Sequence, residues 1–211
     1  MEIVRGVHQV DGINGNSYII NGKKMVVIDT GLPGNSRKII NYIRVALKRS
    51  PNDVTTIILT HYHADHSGNV YELKNLTGAI VAVHTDDADY VSGKKEMPAW
   101  CTPIQHVTPD TLLQDGDKIA GLTCVHCPGH TSGSIALYDP NRRILFCGDT
   151  LCIDEGKVHG PKEEFSDDME QVNKSIITLS GLDYDLLLPG HGGPLKPDAA
   201  VRVSEFSRTL P

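Results

Sequence analysis

The stretch ILTHYHADHSGN, residues 57–68, places His61, His63, Asp65 and His66 within six positions directly after an apolar run. A buried imidazole or carboxylate needs a hydrogen-bond partner or a metal, because an unsatisfied buried polar group is costly. A metal ion removes that cost at several side chains at once. Three more segments carry metal-compatible side chains after apolar runs: CPGHTSGS with His130, FCGDTL with Asp149 and LLPGHGGP with His191. All three sit beside glycines, which permit sharp turns and leave room near a ligand. Imidazole and carboxylate without thiolate suit a catalytic zinc, iron or manganese site rather than a cysteine-rich structural one. These seven side chains are too many for one tetrahedral ion and about right for two with positions left open to solvent.

The elements that must position them are short. NSYIIN and KMVVIDTG read as two strands joined at Asn21-Gly22, a strong hairpin turn signal. Beyond GLPG, Asn35 or Ser36 can cap a helix carrying Ile39, Ile40, Ile43 and Leu47 at roughly helical spacing. The strand TTIILT leads into the histidine cluster, and a helix is expected from near Ser67 through Val70, Leu73 and Leu76 to Gly78. A strand at 80–83 and a short helix at about 85–91 follow, then an irregular segment, 92–109, with three prolines and the only tryptophan. A loop of that length inside one domain reads as a lid. The second half predicts strands near 117–120, 122–127, 134–138, 144–147 and 185–188, with helices near 167–180 and 197–209. The histidines and aspartates thus sit where strands end. Strands mixed with helices predict an α/β (α+β) fold of two sheets covered by outer helices.

At 211 residues the chain is expected to form one domain, 1–211. A net charge of −6 without a run of Lys or Arg argues against nucleic acid as a partner. The apolar runs fall far short of the ~18 residues that a membrane span needs, and MEIVRGVHQV has no signal-peptide core. The expectation is a cytoplasmic protein acting on a small molecule, away from membranes. Five cysteines, an odd number, argue for reduced thiols.

THYHADHSGN, PGHTSGS, GDT and LLPGHG, in this order and spacing, resemble the metallo-β-lactamase superfamily over nearly the whole chain. The pattern H-x-H-x-D-H is matched letter for letter by His61, His63, Asp65 and His66. The resemblance implies the four-layer αβ/βα sandwich, with His61, His63 and His130 holding one divalent ion and Asp65, His66 and His191 a second. It further implies that Asp149 bridges the two. An aspartate at GDT is similar to the glyoxalase II-like and lactonase-like branches. Two departures bear on the substrate. Glyoxalase II proteins continue into a helical domain that helps bind glutathione, whereas this chain ends about twenty residues after His191, and Cys152 stands where those proteins read GDTLF and lactonases place tyrosine.

The implied activity is hydrolysis of a small ester-like bond, a thioester, lactone or related group, by a hydroxide shared between two ions, zinc first, with iron or manganese as alternatives. Asp65 is the expected catalytic side chain, binding metal and also orienting the hydroxide or relaying a proton. Other readings within the superfamily are a mononuclear iron persulfide dioxygenase, a β-lactamase-like or phosphodiesterase hydrolase, and an RNA-processing nuclease, the last disfavoured by charge. CVHC, Cys124 to Cys127, looks like a redox or zinc motif, but its odd separation sends the thiols to opposite faces of a strand and no second pair exists. His126 reads as structural or as a supporting residue, while His8, His84 and His106 read as solvent-facing or locally bonded. Met97 and Trp100 suit either a core or an apolar substrate surface, and Lys157, His159 and Lys162 suit a solvated loop.

Overall fold

Runs of β-branched residues bounded by glycine and proline form strands throughout residues 1–211, all of which are described by the structure, a computed structural model. The chain divides into two units, Met1–Leu112 and Leu113–Pro211.

The first unit carries a seven-stranded sheet in sequence order: β1 (Glu2–Val4), β2 (Val7–Gln9), β3 (Tyr18–Asn21), β4 (Met25–Ile28), β5 (Val54–Ile58), β6 (Ile80–His84) and β7 (Thr111–Leu113). β1 to β4 pair antiparallel, whereas β4, β5 and β6 are parallel neighbours. Parallel pairing requires crossovers. One is α1 (Ser36–Asn41), prolonged by a π turn over Tyr42–Ala46; another is α2 (Ala64–Ser67) followed by α3 (Val70–Thr77). A short α4 (Ala88–Val91) follows β6. Ile39 and Ile43 of the first crossover and Leu73 of the second pack with Val27, Ile57 and Val81 of the strands in one buried cluster. Parallel neighbours end on the same side of a sheet. Asp29, just after β4, and residues 59–63, just after β5, therefore become neighbours, and this gathers the candidate site residues of the first unit.

Three expectations are corrected here. Asn21 pairs with Met25, so the β3–β4 turn spans Gly22, Lys23 and Lys24 instead of the two residues Asn21-Gly22. Arg49 holds that wider turn through Asn21 Oδ1 at 3.0 Å and the Gly22 carbonyl at 3.1 Å. The helix expected from Ser67 to Gly78 is two helices, broken at Gly68-Asn69. The side chain of Asn35 does not cap α1, and its Nδ2 donates to the Leu32 carbonyl. Asn69 causes both of the last two outcomes. Its Oδ1 accepts from the N–H groups of Asn35 and Ser36, and its Nδ2 donates to the carbonyls of Thr30, Gly31 and Leu32. It thereby caps α1 from another element and ties the loop after β4 to the start of α3.

The second unit carries a five-stranded sheet in the order β14-β11-β10-β9-β8. Its members are β8 (Lys118–Ile119), β9 (Leu122–His126), β10 (Ile135–Asp139), β11 (Ile144–Gly148) and β14 (Leu186–Pro189). Between them lies a hairpin, β12 (Cys152–Asp154) and β13 (Lys157–His159), which the sequence reading leaves as loop. Glu155 and Gly156 both adopt positive φ, the backbone of a two-residue hairpin turn. The helices are α5 (Met169–Ser180) and α6 (Ala199–Ser207). Asp168 caps α5 by accepting from Gln171 N at 3.0 Å, and Val172, Ser175, Ile176 and Leu179 form its buried stripe. α6 is shorter than the expected 197–209 because Asp198, before its first residue, has left-handed φ. β11 and β14 are parallel and so end together, bringing Asp149 and His191 to the same edge. The loop joining antiparallel β9 and β10 opens at that edge too, and it carries His130. No helix is long and apolar enough to cross a membrane.

Candidate metal centre

In the first unit the chain leaves β5, turns through Thr60 to His63 and enters α2, which carries Asp65 and His66. His61, His63 and His66 are almost fully buried. The His61 ring lies 4.7 Å from that of His63 and 4.1 Å from that of His66, centre to centre. Asp65 Oδ2 stands 3.7 Å from His66 Nε2.

A frame of hydrogen bonds holds them. Asp29, itself buried, accepts from Thr60 N on Oδ1 at 2.8 Å and from Thr60 Oγ1 on Oδ2 at 2.7 Å, and its Oδ2 lies 2.9 Å from His66 Nδ1. Thr30 donates to the His66 carbonyl through both its N–H and its hydroxyl. Ser67 Oγ reaches the Tyr62 carbonyl, Asp87 Oδ2 accepts from Tyr62 N, and the Tyr62 ring stacks on Tyr90 at 4.1 Å. Gly15, at φ +73°, lies so close to Asp65 that a Cβ there would sit 1.9 Å from the Asp65 carbonyl oxygen. Any side chain at Gly15 would push the ligand loop aside.

In the second unit His130, Asp149 and His191 come together. Asp149 Oδ2 is 3.5 Å from His130 Nε2 and 3.3 Å from His191 Nε2. Donors bound at ~2.0–2.1 Å to one tetrahedral ion stand ~3.4 Å apart, so Asp149 Oδ2 stands at co-ligand spacing from each of the two imidazoles taken singly. His130 Nδ1 lies 3.1 Å from Ser166 Oγ, and the loop bearing His130 is fastened to the start of α5 by Asp167 N to His130 O and Asp168 N to Gly129 O. Gly190 N donates to the Gly148 carbonyl, joining the two strand ends that carry Asp149 and His191. The donor set, imidazole and carboxylate, suits hard or borderline divalent cations.

A family model described as the metallo-beta-lactamase superfamily matches residues 10–191. The chain belongs to the metallo-β-lactamase superfamily. It is 29% identical to the probable metallo-hydrolase YflN of Bacillus subtilis (strain 168), over 92% of this chain and 86% of that protein. It is 30% identical to the acyl-coenzyme A thioesterase MBLAC2 of Homo sapiens, over 92% of this chain and 78% of that one. Among solved structures, a metallo-β-lactamase with a HARLDQ motif from Cronobacter sakazakii superposes with a TM-score of 0.80, covering 99% of this chain and 90% of that one at 23% identity. The fold is thus the metallo-β-lactamase fold, and the protein is a metallo-hydrolase of that superfamily with His/Asp clusters able to hold metal.

The remaining residues singled out in the sequence sort by contact. Burial pushes the Cys124 and Cys127 thiols up to about 12 and Cys147 well above its ordinary range, and all three are buried as small apolar side chains. His126 Nε2 meets the Ser132 carbonyl at 2.9 Å, and His84 Nδ1 accepts from Asp86 N, a local bond. His8 is neither solvent-facing nor locally bonded: it is buried, with Nδ1 3.2 Å from the hydroxyl of Tyr42, and burial lowers its pKa. His159 turns to the Gly160 carbonyl at the surface. Trp100 is half exposed, and its ring stands edge-on to His63 at 4.9 Å. Met97 packs against the first unit's core, and the neighbouring Cys101 accepts from Ala64 N at 3.4 Å, so the 92–109 segment is pinned to the ligand loop. Asp29 carries the same signal as Asp149, an Asp-Thr pair after an apolar strand, and the sequence reading assigns it no role.

Proposed function

We propose that His61, His63 and His130 hold one divalent ion and Asp65, His66 and His191 a second, with Asp149 between them, and that the chain hydrolyses acyl thioesters and kindred esters and lactones. The observation that carries this reading is the placement of a single oxygen, Asp149 Oδ2, at ligand spacing from both His130 and His191, which the ligand pattern assigns to different ions. Relatedness to a human acyl-coenzyme A thioesterase at 30% identity supports the thioester as the bond attacked. Zinc suits the donor set best. When bound, such ions supply an activated water and positive charge for the acyl oxygen and the departing group.

The chain's own residues do the rest. Asp65, whose carboxylate keeps partial contact with solvent, orients the attacking water and takes up its proton. Trp100, edge-on to His63, with Met97 and Pro98 in the same segment, offers apolar surface to an acyl chain. Such a surface grips by burial and discriminates weakly between neighbouring chain lengths. Covering the free half of the Trp100 ring contributes about 1–2 kcal/mol, which predicts a KM raised roughly 5- to 30-fold for medium-chain acyl substrates in Trp100→Ala, with kcat little changed. A panel of acyl-coenzyme A thioesters, acyl lactones, aryl esters and lactoylglutathione, assayed with both proteins, tests the reading. Activity should rise with apolar acyl length in the wild type. A strong preference for lactoylglutathione, or the same KM values in Trp100→Ala, would contradict it.

A further inference from the structure

We propose that Thr60 and Ser166 are positioning residues whose hydroxyls hold His61 and His130 in the Nδ1–H tautomer, so that each imidazole presents the Nε2 lone pair to the metal. This rests on the reading of His61, His66 and His130 as ligands and extends it to residues outside the ligand pattern.

The argument is one of hydrogen counting. A hydroxyl has a single hydrogen, while carboxylate and carbonyl oxygens only accept. Thr60 Oγ1 lies 2.7 Å from Asp29 Oδ2 and 3.1 Å from His61 Nδ1. Its hydrogen goes to the carboxylate, which leaves an oxygen lone pair facing His61, and Nδ1 must carry the proton. Ser166 repeats the logic in the other unit: its Oγ donates to the Lys162 carbonyl at 2.8 Å and lies 3.1 Å from His130 Nδ1. His130 Nδ1 is therefore the donor there. His66 reaches the same state without an intermediary, since Asp29 Oδ2 lies 2.9 Å from its Nδ1.

One carboxylate thus fixes two imidazoles, His66 directly and His61 through the Thr60 hydroxyl. His130 is fixed independently by a segment that supplies no ligand. The short helical turn Glu163–Phe165 presents Ser166, whose N–H closes on the Glu163 carbonyl. A group that orients a histidine ligand through its other nitrogen typically changes metal affinity about 10- to 100-fold when removed.

The test combines imidazole nitrogen-15 NMR with zinc competition against a chelator, both on the zinc-loaded protein. The wild type should show Nδ1–H and a metal-shifted Nε2 for His61, His66 and His130. Ser166→Ala should lose the slowly exchanging Nδ1–H of His130 and bind zinc about 10- to 100-fold more weakly, while Ser166→Thr should restore both. Thr60→Val and Thr60→Ser form the matching pair for His61. Because Ser166 is only half-buried, its variants report on the tautomer without disturbing the core. An Nε2–H signal at any of the three histidines in the wild type, or an unchanged spectrum and zinc affinity in Ser166→Ala, overturns the proposal. Failure of His130→Ala to weaken zinc binding overturns the ligand reading instead, and the tautomers are still scored by the wild-type spectrum.

Discussion

His191→Ala should lower kcat/KM for a thioester substrate by about three orders of magnitude, roughly 4 kcal/mol of transition-state stabilisation, with the thermal midpoint of the metal-free protein unchanged. The two halves of that expectation have separate causes. The His191 side chain is 39% exposed, so its removal leaves no core cavity. Its Nε2, however, is one of two imidazole nitrogens beside Asp149 Oδ2, and on the proposed assignment its removal takes a ligand from the second ion. His63→Ala should abolish activity to a similar degree, but with some loss of stability, because that ring is buried against Tyr62 and Trp100. Steady-state kinetics together with thermal unfolding of the metal-free proteins checks both. Wild-type rates in the two variants would show that the ligands have been misassigned.

Asp29→Ala should be the most destabilising single change near the site. It strips the acceptor from three buried donors at once, Thr60 N, Thr60 Oγ1 and His66 Nδ1. At about 1–3 kcal/mol for each donor left buried and unsatisfied, partly relieved by relaxation, the loss should be about 3–5 kcal/mol. Asp29 also sits at φ +56°, a conformation that Asp and Asn tolerate and Ala resists. Asp29→Asn separates the effects. It keeps an oxygen for Thr60 N and suits the backbone, yet it puts an amide where two donors converge. Its stability should fall by less than that of Asp29→Ala, while zinc affinity falls in both. Urea unfolding of the metal-free variants measures the first and chelator competition the second. An Asp29→Ala protein with the wild-type urea midpoint and zinc affinity would show that this carboxylate holds nothing in place.

The candidate ligands stand out in the sequence because several of them combine a metal-compatible side chain with an apolar strand just before it. His61, His130, Asp149 and His191 all follow such runs, and strand ends are where a sheet delivers side chains to an edge. What escaped the sequence depends on which strands become neighbours. Asp29 matters only because β4 pairs parallel with β5, a partnership that nothing local in VVIDTG announces. Asn69 looks like a helix residue in a helix-period stretch, but its amide serves a loop and a helix start more than thirty residues earlier, and that splits the helix. The β3–β4 turn widened for a similar reason, since Arg49 arrives from the far end of a crossover to hold it. The hairpin at Cys152–His159 was within reach, because Glu155-Gly156 has turn character, but its strands are three residues each and carry little periodicity. Division into two units follows from pairing as well: each half of the chain closes its own sheet.

The most direct test of a two-ion hydrolase is to strip the protein of metal and return zinc in measured equivalents, following bound metal and acyl thioester hydrolysis in the same samples. The proposed set of seven ligands with a shared carboxylate predicts that binding ends at two zinc ions per chain and that the rate climbs to its plateau only as the second ion is taken up. Binding that stops at one ion with the full rate already reached, or hydrolysis that persists in the stripped protein, would contradict it.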